Sequence, residues 1–144
     1  MFDCVLPTRN GYNPVPFTCT GPIRLKNAKH SRDRELIEVG CDCVACGGPG
    51  VEGFAVGGLG KSLDALAQAP KPLSPQAPCF SRSYLRHLFQ AGEMLGGILV
   101  SLHNLRHFQR LLLDIRGAIR DNAWSALAQR WPVAFAEGER LDTN

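Results

Sequence analysis

Apolar and polar positions alternate with two different periods along this chain. From residue 80 to residue 131, Leu85, Leu88, Phe89, Leu95, Leu99, Leu102, Leu105, Phe108, Leu112, Ile115 and Ile119 fall mostly three or four apart. That spacing keeps one face of a helix apolar and predicts helix throughout the block. Ser81 stands where an N-cap is needed. Gly96-Gly97 weakens the middle, so the pattern fits one bent helix or two. Asp121 is placed to cap a further short helix through Ala123 to Arg130, which Pro132 closes. Residues 1–46 read instead as extended chain and turns. Val15-Pro16-Phe17-Thr18-Cys19 and Ile23-Arg24-Leu25-Lys26 flank the turn residues Thr20-Gly21-Pro22. This predicts a hairpin with Ile23 and Leu25 on one face and Arg24 and Lys26 on the other.

Composition divides the chain further. Residues 1–46 are polar and turn-rich, with four prolines, whereas residues 47–79 hold seven glycines and five prolines. A third of glycine and proline marks a low-complexity segment, expected to be flexible apart from one short helix at Ser62 to Gln68. The expected organisation is therefore 1–46, a Gly/Pro-rich insert at 47–79, a helical block at 80–131 and a fraying tail at 132–144. No internal repeat is found.

The chain has 144 residues and 15.7 kDa, 44% hydrophobic and 20% charged, which suits one ordinary globular domain rather than a disordered or fibrous chain. A net charge of +3 with a pI near 8.6 permits an acidic partner such as RNA without demanding one. The longest apolar run, Met94 to Leu102, is too short to span a bilayer and carries two glycines and a serine. The N-terminus has no basic region followed by an apolar stretch, so the expectation is a soluble, cytoplasmic chain with reduced thiols and no membrane partner. Its six cysteines are then better explained by metal or chemistry than by disulfides.

Cys41-Asp42-Cys43-Val44-Ala45-Cys46 is the sharpest local signal. Three thiolates in six residues can converge on one soft cation, and tetrahedral zinc needs one more ligand. His30, His87, His103 and His107 are the histidines available. His87 and His103 are about 24 Å apart along a continuous helix and cannot share a metal. His103 and His107 are one turn apart and can both face it. Spacing does not choose among the four, and Cys19 and Cys79 are further candidates. Gly57-Gly58-Leu59-Gly60-Lys61-Ser62 superficially suggests a phosphate-binding loop. Ala55 stands where that pattern requires glycine and no apolar strand precedes it, so it reads as a surface loop. Arg24, Lys26, Lys29, Arg32 and Arg34 face a single acid, Asp33, a cluster suited either to phosphates or to plain solvation.

Met1-Phe2-Asp3-Cys4-Val5-Leu6-Pro7-Thr8-Arg9, Lys26-Asn27-Ala28-Lys29, Cys41-x-Cys43-x2-Cys46, Ser81-Arg82-Ser83-Tyr84-Leu85 and His103-Asn104-Leu105 occur in an order and spacing that resemble the C-terminal part of a bacterial tRNA-guanine transglycosylase. The resemblance covers residues 1–46 and about 81–131. It implies a zinc-containing α/β parent fold, a TIM barrel with a zinc subdomain. Of that fold this chain is the C-terminal segment, mainly α with a small β-hairpin and zinc knuckle, beginning at the end of a barrel strand. The implied reaction replaces the wobble guanine of tRNA with a 7-deazaguanine precursor of queuosine, by double displacement through a covalent enzyme–ribose intermediate. The implied nucleophile is Asp3, and a carboxylate can attack an anomeric carbon and later leave it. Arg9 matches an anticodon-contacting arginine, with Arg24 and Lys26 as further tRNA contacts. The implied zinc ligands are Cys41, Cys43, Cys46 and His103, while His107 falls where relatives are usually aromatic. Tyr12 replaces a second family arginine, and the Gly/Pro-rich insert separates the third cysteine from the Ser-Arg helix. The family's base-recognition residues and second catalytic aspartate belong to barrel strands outside this sequence. A truncated or split gene, inactive as isolated residues 1–144, is therefore expected. Its protein partner would be a second copy or the missing barrel half in trans. The alternative is a non-catalytic zinc module that binds RNA or dimerises.

Overall fold

The computed structural model describes residues 4–47 and 79–135. The expected helix at Ser62 to Gln68 lies outside them. In chain order the elements are α1 (Leu6–Tyr12), β1 (Phe17–Thr18), β2 (Gly21–Pro22), two short 3₁₀ turns at Ala28–Arg32 and Val44–Cys46, α2 (Arg82–Ala91), α3 (Met94–Asp121), α4 (Trp124–Arg130) and α5 (Pro132–Phe135). The architecture is mainly helical with one two-stranded antiparallel sheet.

The helical block forms as its periodicity predicts, with two changes. Ser81 caps α2, its Oγ accepting the Tyr84 N–H. The neighbouring N–H groups of Arg82 and Ser83 donate to the Glu35 and Asp33 carbonyls, so the start of α2 is satisfied by the loop beneath it. The break, however, is at Gly92, which takes φ 73° to end α2, not at Gly96-Gly97. Those glycines lie inside α3 because neighbours press against them. A Cβ on Gly96 would come within 3.1 Å of Leu88 Cβ, and one on Gly97 within 3.0 Å of Tyr12 Cδ1. Asp121 does not cap the next helix. It ends α3, Asn122 turns the chain with φ 51°, and α4 starts at Trp124 without a side-chain cap. Pro132 begins α5 rather than only closing α4.

The first 46 residues hold a helix that pattern reading misses. Residues Leu6–Tyr12 form α1 with Pro7 in the first turn, where its fixed φ and missing N–H cost nothing. The described residues ahead of α1 form no strand. The hairpin exists in a shifted form. Thr18 pairs with Gly21 and Phe17 with Pro22, so the turn is Cys19-Thr20 rather than residues 20–22. The ladder continues outward through Ile23 N–H to the Pro16 carbonyl (2.9 Å) and Leu25 N–H to the Pro14 carbonyl (3.0 Å). Pro14, Pro16 and Pro22 donate nothing in return, which leaves only two residues per strand regularly paired. The side-chain alternation is as expected: Leu25 is fully buried, Ile23 packs on the core, and Arg24 and Lys26 are exposed.

The main core gathers Leu25, Ile37, Leu85, Leu88, Leu99 and Val100 around Cys41, Cys43 and Cys46. A satellite core packs Leu127 and Trp131 on Ala118 of α3. One face of α3 stays open. Met94, Leu95, Ile98, Leu105 and Leu113 are each at least 40% exposed and fall within about a 100° arc of the helix. No helix among the described residues is long and apolar enough to cross a membrane.

Candidate metal centre

Gly40, with φ 77°, turns the chain into Cys41, and the 3₁₀ turn Val44–Cys46 folds Cys46 back on Cys43 through a Cys46 N–H to Cys43 carbonyl bond of 3.0 Å. Gly47, in the left-handed region at φ 83°, ends that turn. All three sulfurs therefore point to one side, against α3. There, His103 Nδ1 lies 3.7 Å from Cys41 Sγ, 3.4 Å from Cys43 Sγ and 3.6 Å from Cys46 Sγ. The four ligand atoms lie within 4.8 Å of one another and all four residues are buried.

These separations can be compared with what a metal requires. Bonds of roughly 2.3 Å to sulfur and 2.0–2.1 Å to nitrogen, opened to the tetrahedral angle, put S and N about 3.6 Å apart. The cluster shows that edge length. The other ring nitrogen is fixed as well, because His103 Nε2 lies 2.7 Å from the Phe17 carbonyl. A carbonyl only accepts, so Nε2 carries a proton and Nδ1 is the nitrogen turned to the thiols, free to give its lone pair to a bound cation, as a ligand histidine requires. The surroundings also call for positive charge. Burial disfavours a charged ring, but the Cys41 and Cys46 sulfurs outweigh it and push His103 up to about 10. Hydrogen bonds with Cys43 and Cys46 pull the Cys41 thiol far down, and those with Cys41 and Cys46 push Cys43 up. Three sulfurs this close cannot all ionise unless a cation joins them.

The competing histidines are placed elsewhere. His30 is buried with Nδ1 2.8 Å from Asp33 Oδ2, and His87 is exposed on α2. His107 is buried among Phe17, Phe108 and Trp131, with ring centroids 5.9, 5.6 and 5.0 Å away. Burial pushes it down to about 4, so it is a neutral packing group. Cys19 is half-buried and donates its N–H to Glu38 Oε1 at 2.7 Å.

Sequence reasoning assigned no role to Asn104, which is fully buried beside the ligand histidine. Its Oδ1 accepts the Phe17 N–H at 2.9 Å, and its Nδ2 donates to the Pro7 and Val15 carbonyls at 3.0 and 3.2 Å. His103 and Asn104 thus hold the Phe17 backbone by its carbonyl and its N–H. Of the polar residues expected to meet tRNA, Arg9 is exposed in the last turn of α1, and Arg24 and Lys26 are exposed on the hairpin's outer face. Asp3 lies outside the described residues.

A family model described as queuine tRNA-ribosyltransferase matches residues 1–48 and 62–136. The chain belongs to the queuine tRNA-ribosyltransferase family. Among named members, the queuine tRNA-ribosyltransferase of Acidovorax sp. (strain JS42) is 35% identical over 138 residues, covering 96% of this chain and 31% of the relative. That of Stenotrophomonas maltophilia (strain K279a) is 37% identical over 134 residues, covering 93% and 28%. That of Chromohalobacter salexigens is 35% identical over 129 residues, covering 90% and 26%. The chain thus spans about a third of the length of the ribosyltransferases it matches.

Proposed function

We propose that this chain is the zinc-binding segment of a tRNA-guanine transglycosylase and works as part of the larger body its relatives possess. The observation that carries the reading is the Cys41–Cys43–Cys46–His103 cluster at tetrahedral spacing in a member of this family. Zinc suits three thiolates and one imidazole without redox chemistry or an open position, so its work here is structural. It ties the loop after the hairpin to α3.

In this reading Asp3 is the nucleophile that takes the ribose from the departing guanine and later yields it to a 7-deazaguanine base. Arg9, Arg24 and Lys26 contact the tRNA backbone around the anticodon loop. Their exposure on the surface supports that role, and mutating them should weaken RNA binding and flatten its salt dependence. The apolar outer face of α3 supports a protein partner. Apolar on both sides, α3 has the character of a helix buried in a larger fold. Its partner in this reading is the barrel portion that the longer relatives carry.

Guanine exchange tests the reading. Residues 1–144 alone should not insert labelled guanine into tRNA, because a nucleophile without a held base forfeits roughly 7–11 kcal/mol of positioning. Joined to the barrel of a relative, the segment should support exchange, and Asp3→Asn should abolish it. Turnover by residues 1–144 alone, or normal turnover in the Asp3→Asn chimera, would refute the assignment. A chimera that binds tRNA but never exchanges would favour the non-catalytic module.

A further inference from the structure

Two arginines on α3 follow His103 by three and seven residues and lie on the same side of the helix. Arg106 forms a two-pronged pair with Asp42, Nε to Oδ1 at 2.7 Å and Nη2 to Oδ2. Asp42 stands between ligands Cys41 and Cys43. Arg110 Nη1 donates to Glu38 Oε2 at 2.9 Å, with only 13% and 10% of the two side chains exposed. The Glu38 carbonyl in turn accepts the Cys41 N–H at 3.3 Å. The Arg110 guanidinium also lies 5.9 Å from the centroid of Trp131. Burial opposes its charge, and Cys41 and Glu38 more than offset this. The acids on either side of Cys41 are thus each held by a cation from the helix that supplies the fourth ligand.

A divalent ion with three thiolates and a neutral imidazole carries a net charge of −1. Buried, that charge is costly, and the carboxylates of Asp42 and Glu38 beside it would add two more negative charges if Arg106 and Arg110 did not cancel them. We propose that Arg106 and Arg110 form a cationic clasp that cancels the two carboxylates flanking Cys41 and so sets how slowly the metal centre releases its ion. The clasp rests on the zinc reading above. It adds that residues that are not themselves metal ligands govern metal retention, as partners of ligands do elsewhere.

The test uses the zinc-loaded chain, Arg106→Met and Arg110→Met, the lysine variants at both positions, and Arg82→Met as a control. Arg82 pairs with Asp33 and Glu35, an ion network that does not include the acids flanking Cys41. Zinc transfer to an excess of coloured chelator gives the release rate. The methionine variants should release zinc about 10–100-fold faster, the lysine variants should recover most of that loss, and Arg82→Met should change it less than about threefold. With cobalt in place of zinc, removing a cation beside the sulfurs should move the thiolate-to-metal charge-transfer bands to lower energy. A methionine variant that does not fold is replaced by glutamine, which keeps a hydrogen bond but no charge, with the same expectation. Release within twofold of the parent overturns the clasp, as does an acceleration that Arg82→Met reproduces with unshifted bands. Absence of metal from the parent would instead defeat the zinc reading itself.

Discussion

Replacing Asn104 with alanine should destabilise this protein more than removing most of its core methyl groups. Asn104 is fully buried and fills three hydrogen-bond positions, the Phe17 N–H, the Pro7 carbonyl and the Val15 carbonyl. Truncation leaves all three backbone groups without that partner. A buried group left unsatisfied costs about 1–3 kcal/mol. The Phe17 and Val15 contacts are only partly buried, and water entering the polar space recovers part of the loss. The net cost is then about 3–5 kcal/mol, a large share of the roughly 5–15 kcal/mol that holds a domain together. At about 3–4 °C per kcal/mol this lowers Tm by about 10–20 °C. Asn104→Leu, which leaves no room for water, should cost more than Asn104→Ala. Urea titration and thermal unfolding of the zinc-loaded variants read this directly, with the m-value unchanged. Because His103 Nε2 donates to the carbonyl of the same residue, Phe17, zinc affinity should fall about tenfold as well. A Tm within about 4 °C of the parent, with zinc affinity unchanged, would show that Asn104 is not the tie between α1, the hairpin and α3.

The remaining predictions concern the two histidines of α3. His103→Ala should weaken zinc binding far more than His107→Ala, measured by chelator competition, because only His103 faces the thiols; equal losses would mean the fourth ligand is misassigned. His107 also sets an acid limb. Its folded value of about 4 lies below the ordinary 6.5, so the unfolded chain takes up the proton first, and stability present above pH 6.5 is lost as pH falls towards 4. The loss amounts to up to about 3 kcal/mol. His107→Phe should keep the aromatic packing and flatten this slope in urea titrations between pH 7 and pH 5. Identical slopes would remove His107 as the cause.

The parts of this protein legible in its sequence are those fixed by local chemistry. The helices of residues 80–131 follow from a 3.6-residue apolar period and a serine cap, and both are present. The thiol cluster follows from three cysteines in six residues. Pattern reading misplaces what depends on contact between segments. Gly96-Gly97 reads as a weak point, yet Leu88 and Tyr12 press against these glycines and the helix runs through them. Helix α1 has no full apolar period in its seven residues, and Pro7 at its start is the one local signal for it. The hairpin register shifts because three prolines remove the N–H groups that would have marked its strands. Which histidine completes the cluster is invisible to spacing, since 57 residues separate Cys46 from His103. The roles of Asn104, Arg106 and Arg110 are invisible for the same reason, because the backbone groups and acids they hold lie at least 64 residues away.

The central claim is that one zinc ion, held by Cys41, Cys43, Cys46 and His103, organises this segment. Metal analysis of the purified chain, paired with the circular dichroism of Cys43→Ala, tests it most directly. One equivalent of zinc in the parent is expected, with metal and ordered helix lost together in the variant, since the free energy of binding a structural zinc is free energy of folding. A parent chain that is folded and free of zinc, or a Cys43→Ala variant that keeps a full equivalent of the metal, would contradict the account.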